Sequence, residues 1–221
     1  MFHQTFEEMV RFASANDFME ELKTARKEYE RRTGELFETD PGFERRIAGF
    51  LEWYVLDRAL SFAPNKTPAL LYIESVTPTL TTPDLNRLRS MTHTSLSLFE
   101  FRRAKEERLQ VLNLLTDERI EVLERRKPLG MERGDIFEGR LIPHDDHLLF
   151  TDSLTFHPRD ARRSILKAAK TFRKSITKPT QLDFVHRIAY LTNRCERYKH
   201  LKPLQIFAEL VENPLQPAVS A

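Results

Sequence analysis

The stretch RLIPHDDHLLF, residues 140–150, sets two histidines and two aspartates side by side at positions 144–147. Imidazole and carboxylate donors together suit a zinc ion, so the chemistry on offer there is metal-assisted. The spacing argues against it. Four consecutive side chains in a tight turn point in different directions, and no second cluster of ligands accompanies them. Proline and aspartate also favour turns for backbone reasons alone. The segment is therefore expected to be a hairpin loop of about four residues between two strands. His144, Asp145, Asp146 and His147 are not assigned as ligands, no cofactor is expected, and a metal-dependent enzyme at this turn is the third of three functional readings.

Other residues with chemical potential are scattered. Cys195 is the single cysteine, and a thiol nucleophile needs a base beside it. His186 lies nine residues earlier on the same predicted helix, about 900° of turn away and so on the opposite face. Cys195 is accordingly expected to be structural. His200 follows Glu196 by four residues and suits a helix-surface pair. In FLEWYVLDR, Glu52, Trp53, Asp57 and Arg58 attract notice, but adjacent helical residues diverge by about 100°, and Trp53 is expected to pack a helical layer against a sheet. No P-loop, GxSxG or HExxH motif occurs. These observations predict a non-enzymatic protein.

Charge carries more information. Residues 158–202 hold thirteen Lys and Arg against three Asp and Glu, a net of +10, whereas the whole chain carries +2, leaving −8 elsewhere. On a helical wheel with Arg159 at zero, Arg163, Lys167, Lys170 and Lys174 fall between about 20° and 80°, and Arg162 and Arg173 near 300° and 320°. Ala161, Ile165, Ala168, Ala169, Phe172 and Ile176 occupy the arc from about 180° to 280°. An apolar stripe backed by a broad cationic face results. Arg159, Arg162, Arg163, Lys167, Lys170, Arg173 and Lys174 are thus the candidate binding residues, for phosphates of nucleic acid or for an acidic protein surface. The acidic remainder of the same chain competes for them. An anionic membrane surface fits less well, because the stripe lacks large anchoring residues.

The elements that would carry these residues follow from periodicity. Apolar positions from about 4 to 33 recur every three or four residues, predicting one amphipathic helix whose charged tail, KTARKEYERR, runs into solvent. Asp40-Pro41, Thr67-Pro68 and Thr82-Pro83 read as helix starts. From residue 94 the period becomes two, predicting about five antiparallel strands to residue 157, with Thr116-Asp117-Glu118 as a turn. Helices return from His157-Pro158 to about Ile176 and from about 180 to 200. Lys178-Pro179-Thr180 punctuates them, and Pro203 opens a last short helix before a loose terminus, NPLQPAVSA.

The expected fold class is α+β: an N-terminal helical layer (1–93), a small antiparallel sheet or barrel (94–157) and a basic helical hairpin with a tail (158–221) in one compact unit. With 40% hydrophobic and 31% charged residues, the composition is that of a globular protein. No apolar run approaches the ~20 residues of a membrane span. The segment MFHQTFEEMV has neither basic nor apolar leader character, so no secretory leader is expected. One cysteine excludes an internal disulfide, and a cytoplasmic setting is expected.

FLEWYVLDR, a TP-initiated short helix, SLFEF, NLLTDERIEVLER and LGMERGDIFEGRLIP resemble, in order and spacing, a group of uncharacterised bacterial proteins. Some of those carry a C-terminal zinc-binding SEC-C motif. The resemblance spans roughly residues 43–157 and implies a helical segment leading into a small β domain. It implies no reaction, and the cysteine cluster of the zinc-bearing members is missing here. The expected function is a non-enzymatic cytoplasmic interaction or regulatory protein, with nucleic-acid binding through the basic helices as the alternative. Neither the oligomeric state nor the pathway follows from these residues.

Overall fold

The computed structural model describes residues 2–124, 130–144, 146–177 and 179–216, with side chains from residue 4. The expected α+β class is observed. The N-terminal layer contains α1 (Phe2–Ala13), α2 (Met19–Thr33), α3 (Phe43–Leu56), α4 (Pro68–Val76) and α5 (Thr82–Ser90). The sheet contains β1 (Ser95–Lys105), β2 (Arg108–Asn113), β3 (Arg119–Leu123), β4 (Ile136–His144), β5 (His147–Phe150) and the two-residue β6 (Thr155–Phe156). The C-terminal part contains α6 (Arg162–Lys174), α7 (Gln181–Arg197), α8 (Pro203–Ile206) and α9 (Ala208–Glu212).

Several local expectations need correction. The first helix is two: a 3₁₀ turn at Asn16–Phe18 separates α1 from α2. The charged tail of α2 does not run into solvent. It lies along α7, with Ala25, Tyr29 and Thr33 buried. Asp40 does not cap α3, which starts at Phe43 after Gly42; its carboxylate instead accepts from Arg46 and Arg197, at 2.9 and 2.8 Å. Thr67 caps α4 as expected, accepting from the Leu70 amide. For α5 the cap sits one residue earlier than expected, at Thr81, which accepts from the Asp84 amide. The last helix is broken at Phe207 into α8 and α9. Lys178 and residues 217–221 of the expected tail lie outside the described residues.

All strand pairs are antiparallel, in the order β3-β2-β1-β4-β5, with β6 against the start of β4. The end strands β3 and β5 meet, so the sheet curls into a half-barrel. A bulge between Phe101 and Arg103 bends β1, as an extra residue on one strand does. The concave side holds a core of Phe99, Phe101, Leu109, Val111, Val122, Phe137, Leu141 and Phe150. Gly139 belongs on this side because a Cβ there would stand 2.7 Å from Leu154 Cδ2.

The convex side is covered, and this positions the site. Leu98, Leu114, Leu115 and Ile136 pack against α6 and α7 through Ile165, Phe172, Phe184 and Ile188. The Phe172 and Phe184 rings are 4.7 Å apart. A third core, around Met9, Tyr29, Phe50, Trp53, Tyr54 and Ile73, fills the N-terminal layer. Trp53 belongs to this helical core, beside Tyr29 and the α7 residue His186, rather than at the helix–sheet boundary as expected.

Candidate functional site

Side chains alternate across a strand, so Phe137, Gly139 and Leu141 line the half-barrel while Ile136, Glu138 and Arg140 face outward. Outward on β4 means toward α3 and α7. Arg140 is accordingly only 1% exposed. Its Nε donates to Glu52 of α3 at 3.3 Å, its Nη1 to Asp57 at 3.1 Å and to Thr94 at 2.6 Å, and its Nη2 to Asp57 as well. Burial alone would lower the Arg140 pKa, but the Asp57 and Glu52 carboxylates hold it above the ordinary value. Glu52 itself is raised by burial, although Arg140 and the Ser153 and Thr151 hydroxyls favour its ionised form.

Glu138 stands beside this network and lacks a matching cation. Burial pushes its pKa from 4.5 up to about 7, against the hydrogen bond from Thr155 and the attraction of Arg45 and Arg46, with Glu52 adding repulsion. Both arginines are engaged elsewhere: Arg45 with Glu196 at 2.8 Å, Arg46 with Asp40 and with the Gly34 carbonyl. His186 completes the cluster from α7. Its ring meets Tyr29 edge-on at 5.4 Å, and burial pushes its pKa down to about 3. Neither ring nitrogen of His186 has a hydrogen-bond partner, nor has Glu138 Oε2. These groups surround a cavity of about 20 Å³ lined also by Tyr29, Arg46 and Asn193.

Asn193 also borders an open groove of about 1250 Å³ between α2 and the C-terminal helices, where Lys27, Arg31, Tyr190, Arg194 and Tyr198 line the walls. The inner cavity is far below the ~300–1,000 Å³ of small-molecule pockets, so no substrate enters it in this conformation. What the cluster offers chemically is proton exchange between a carboxyl, an imidazole and any solvent held between them.

The candidate cationic face divides in two. Arg159 donates to Asp135 at 2.7 Å and pairs with Glu132. Arg162 binds Glu100 at 2.9 Å and the Gly134 carbonyl, and Arg173 binds the Leu114 carbonyl at 2.5 Å and Asp117 at 3.6 Å. These three clamp the helix to the sheet. Arg163, Lys167, Lys170 and Lys174 are exposed and have no ionic partner among the described residues. On α7 the arginines also turn inward: Arg187 is buried and donates to the carbonyls of Asn213, Gln216 and Glu209, while Arg194 and Arg197 pair with Glu209 and Asp40. The helix itself starts at Arg162 after a 3₁₀ turn and stops at Lys174, leaving Ile176 fully exposed rather than in the apolar stripe.

At the opening motif, Pro143 pairs with Leu148 and His144 with His147 as the last rungs of β4–β5, so Pro143 and His144 belong to a strand rather than to the loop of about four residues that was expected. Asp145 lies outside the described residues, and no group of three metal-ligating side chains occurs among the described ones. Cys195 packs beside the helix–sheet core, and burial pushes its thiol up to about 11, away from the thiolate a nucleophile needs. No described helix is long and apolar enough to cross a membrane.

The Glu52–Glu138–Arg140–His186 cluster was not anticipated from the residues. Two signals pointed to it: a glutamate inside the apolar run FLEWYVL, and acidic and basic residues at i and i+2 on a strand whose other face is apolar. No curated protein and no solved structure matches this chain. One family model, described as a family of unknown function, matches residues 15–191, a span that includes the whole cluster and the cationic stripe.

Proposed function

The chain belongs to this family of unknown function, DUF7986, so a functional reading must come from its own side chains, and we propose a non-enzymatic interaction protein that docks a polyanionic surface on α6. The observation that supports this is the stripe Arg163, Lys167, Lys170 and Lys174, exposed and without an ionic partner among the described residues, while Arg159, Arg162 and Arg173 are paired with groups of the same chain. The stripe runs about 16 Å along the helix at 1.5 Å per residue. Its cations lie four, three and four residues apart, on one face. Arg159, Arg162 and Arg173 tie the helix backbone to the sheet and its loops, so binding has to order only the stripe's own side chains.

An acidic protein surface is the first reading of the partner and a nucleic-acid backbone the second; the regular linear spacing of the cations favours keeping the second. Salt dependence separates them. Four phosphate contacts on a duplex give a log–log salt slope of about −3.6, roughly −0.9 per contact. Fluorescence anisotropy with a labelled duplex and a labelled single strand, at low and moderate salt, measures it. A slope near that value, abolished by Arg163→Gln, Lys167→Gln, Lys170→Gln and Lys174→Gln together, supports nucleic acid. No binding at low salt rejects nucleic acid and leaves a protein partner, to be sought by cross-linking from α6. Equal capture of partners by wild type and the glutamine variant would reject the docking face itself.

A further inference from the structure

We propose that the cavity between β4, α3 and α7 is a built site for one internal water molecule, held between Glu138 and His186. Three observations converge on it. The volume, about 20 Å³, exceeds the ~10–15 Å³ that one water centre requires and excludes anything much larger. Its lining residues supply polar atoms sealed from solvent and without partners: Glu138 Oε2, both ring nitrogens of His186, Arg45 Nε and Arg46 Nε. His186 is 3% exposed, and a buried imidazole with two idle nitrogens is costly unless solvent fills the gap. Two other polar lining residues are already engaged: Glu52 accepts from Arg140 at 3.3 Å, and Asn193 Nδ2 donates to the Thr33 carbonyl at 2.8 Å.

Water fits the donor set better than an ion does. Arg45, Arg46 and Arg140 line the cavity beside the carboxyl groups of Glu52 and Glu138, so charges of both signs border it and neither a cation nor an anion is favoured. A neutral imidazole offers one donor and one acceptor. A water molecule can accept from an N–H and donate to Glu138 and to the imidazole lone pair. Asn193 lines both the site and the outer groove, so the two adjoin at that residue.

The test is a high-resolution crystal structure of the intact chain, together with deuteron relaxation dispersion to count long-lived internal waters in solution. A solvent peak within hydrogen-bond distance of Glu138 and His186 is expected. Glu138→Leu and His186→Leu should each remove that peak and lower the count by one. An empty cavity, a side chain swung into it, or a peak with the scattering of an ion overturns the proposal, as does an unchanged water count in a folded variant. Should a variant fail to fold, the wild-type density alone decides.

Discussion

Replacing Glu138 by glutamine should change how stability depends on pH. Burial raises the Glu138 carboxyl from 4.5 to about 7, so the folded state binds its proton more tightly than the unfolded chain does. Stability from this group is therefore fully present below pH 4.5 and is lost as pH rises toward 7. At about 1.4 kcal/mol per decade of differential proton affinity, the loss amounts to about 3 kcal/mol. Two imidazoles work the other way. Burial depresses His157 and His186 from 6.5 to about 3, so the unfolded chain takes up protons that the folded state refuses, and stability is lost as pH falls from 6.5 toward 3. The raw stability curve mixes both signs, but subtracting the Glu138→Gln curve cancels the histidines. Urea unfolding at half-unit pH steps measures the difference, wild type minus variant. It should be constant below pH 4.5 and fall by about 3 kcal/mol by neutral pH. A difference that stays flat through that interval would mean that Glu138 is solvated, and the argument for a sealed cluster would fail with it.

Other consequences follow from the same network and from the sheet. His186→Leu should flatten the acid limb, reducing the slope of stability between pH 3 and 6.5 by up to about 1.4 kcal/mol per pH unit, one proton's worth; the same urea series reads it. Arg140→Met leaves Glu52 and Asp57 facing each other without their cation and should cost about 3–5 kcal/mol at neutral pH. Much of that loss should return in an Arg140→Met, Glu52→Gln double variant, and a cost unchanged by the second substitution would show that Arg140 acts by packing alone. Gly139→Val forces a Cβ to 2.7 Å from Leu154 inside the half-barrel and should lower stability by about 1–3 kcal/mol, with the melting temperature falling accordingly.

Much of the architecture is local and was legible in the residues. Thr67-Pro68 starts a helix because its hydroxyl caps an otherwise orphaned amide and proline gives up nothing at that position. The change from period 3.6 to period two near residue 94 marks the sheet because alternation is what a strand with two different faces requires. At PHDDH the pairing of the two flanking strands was readable, but the extent of the loop was not: proline and histidine there suggest a turn, whereas Pro143 and His144 continue β4 in register with Leu148 and His147. The 3₁₀ turn after α1 was not, because the apolar spacing continues through Phe18 and hides the break.

The site belongs to the other category. The alternation along IFEGRLI determines by itself that Glu138 and Arg140 share one face of β4 and Phe137 and Leu141 the other. Whether that polar face meets water depends on what packs over it. Here α3 and α7 arrive from segments about ninety residues before and fifty after, bringing Glu52, Asp57 and His186. Likewise, the helical wheel drawn from Arg159 places seven cations on one side, but only the folded chain, offering Asp135, Glu100 and the Leu114 carbonyl, decides that three are paired within the molecule and four are not. Periodicity records which side chains travel together along one element. Burial and pairing are properties of the space between elements, and that space exists only once the chain has folded.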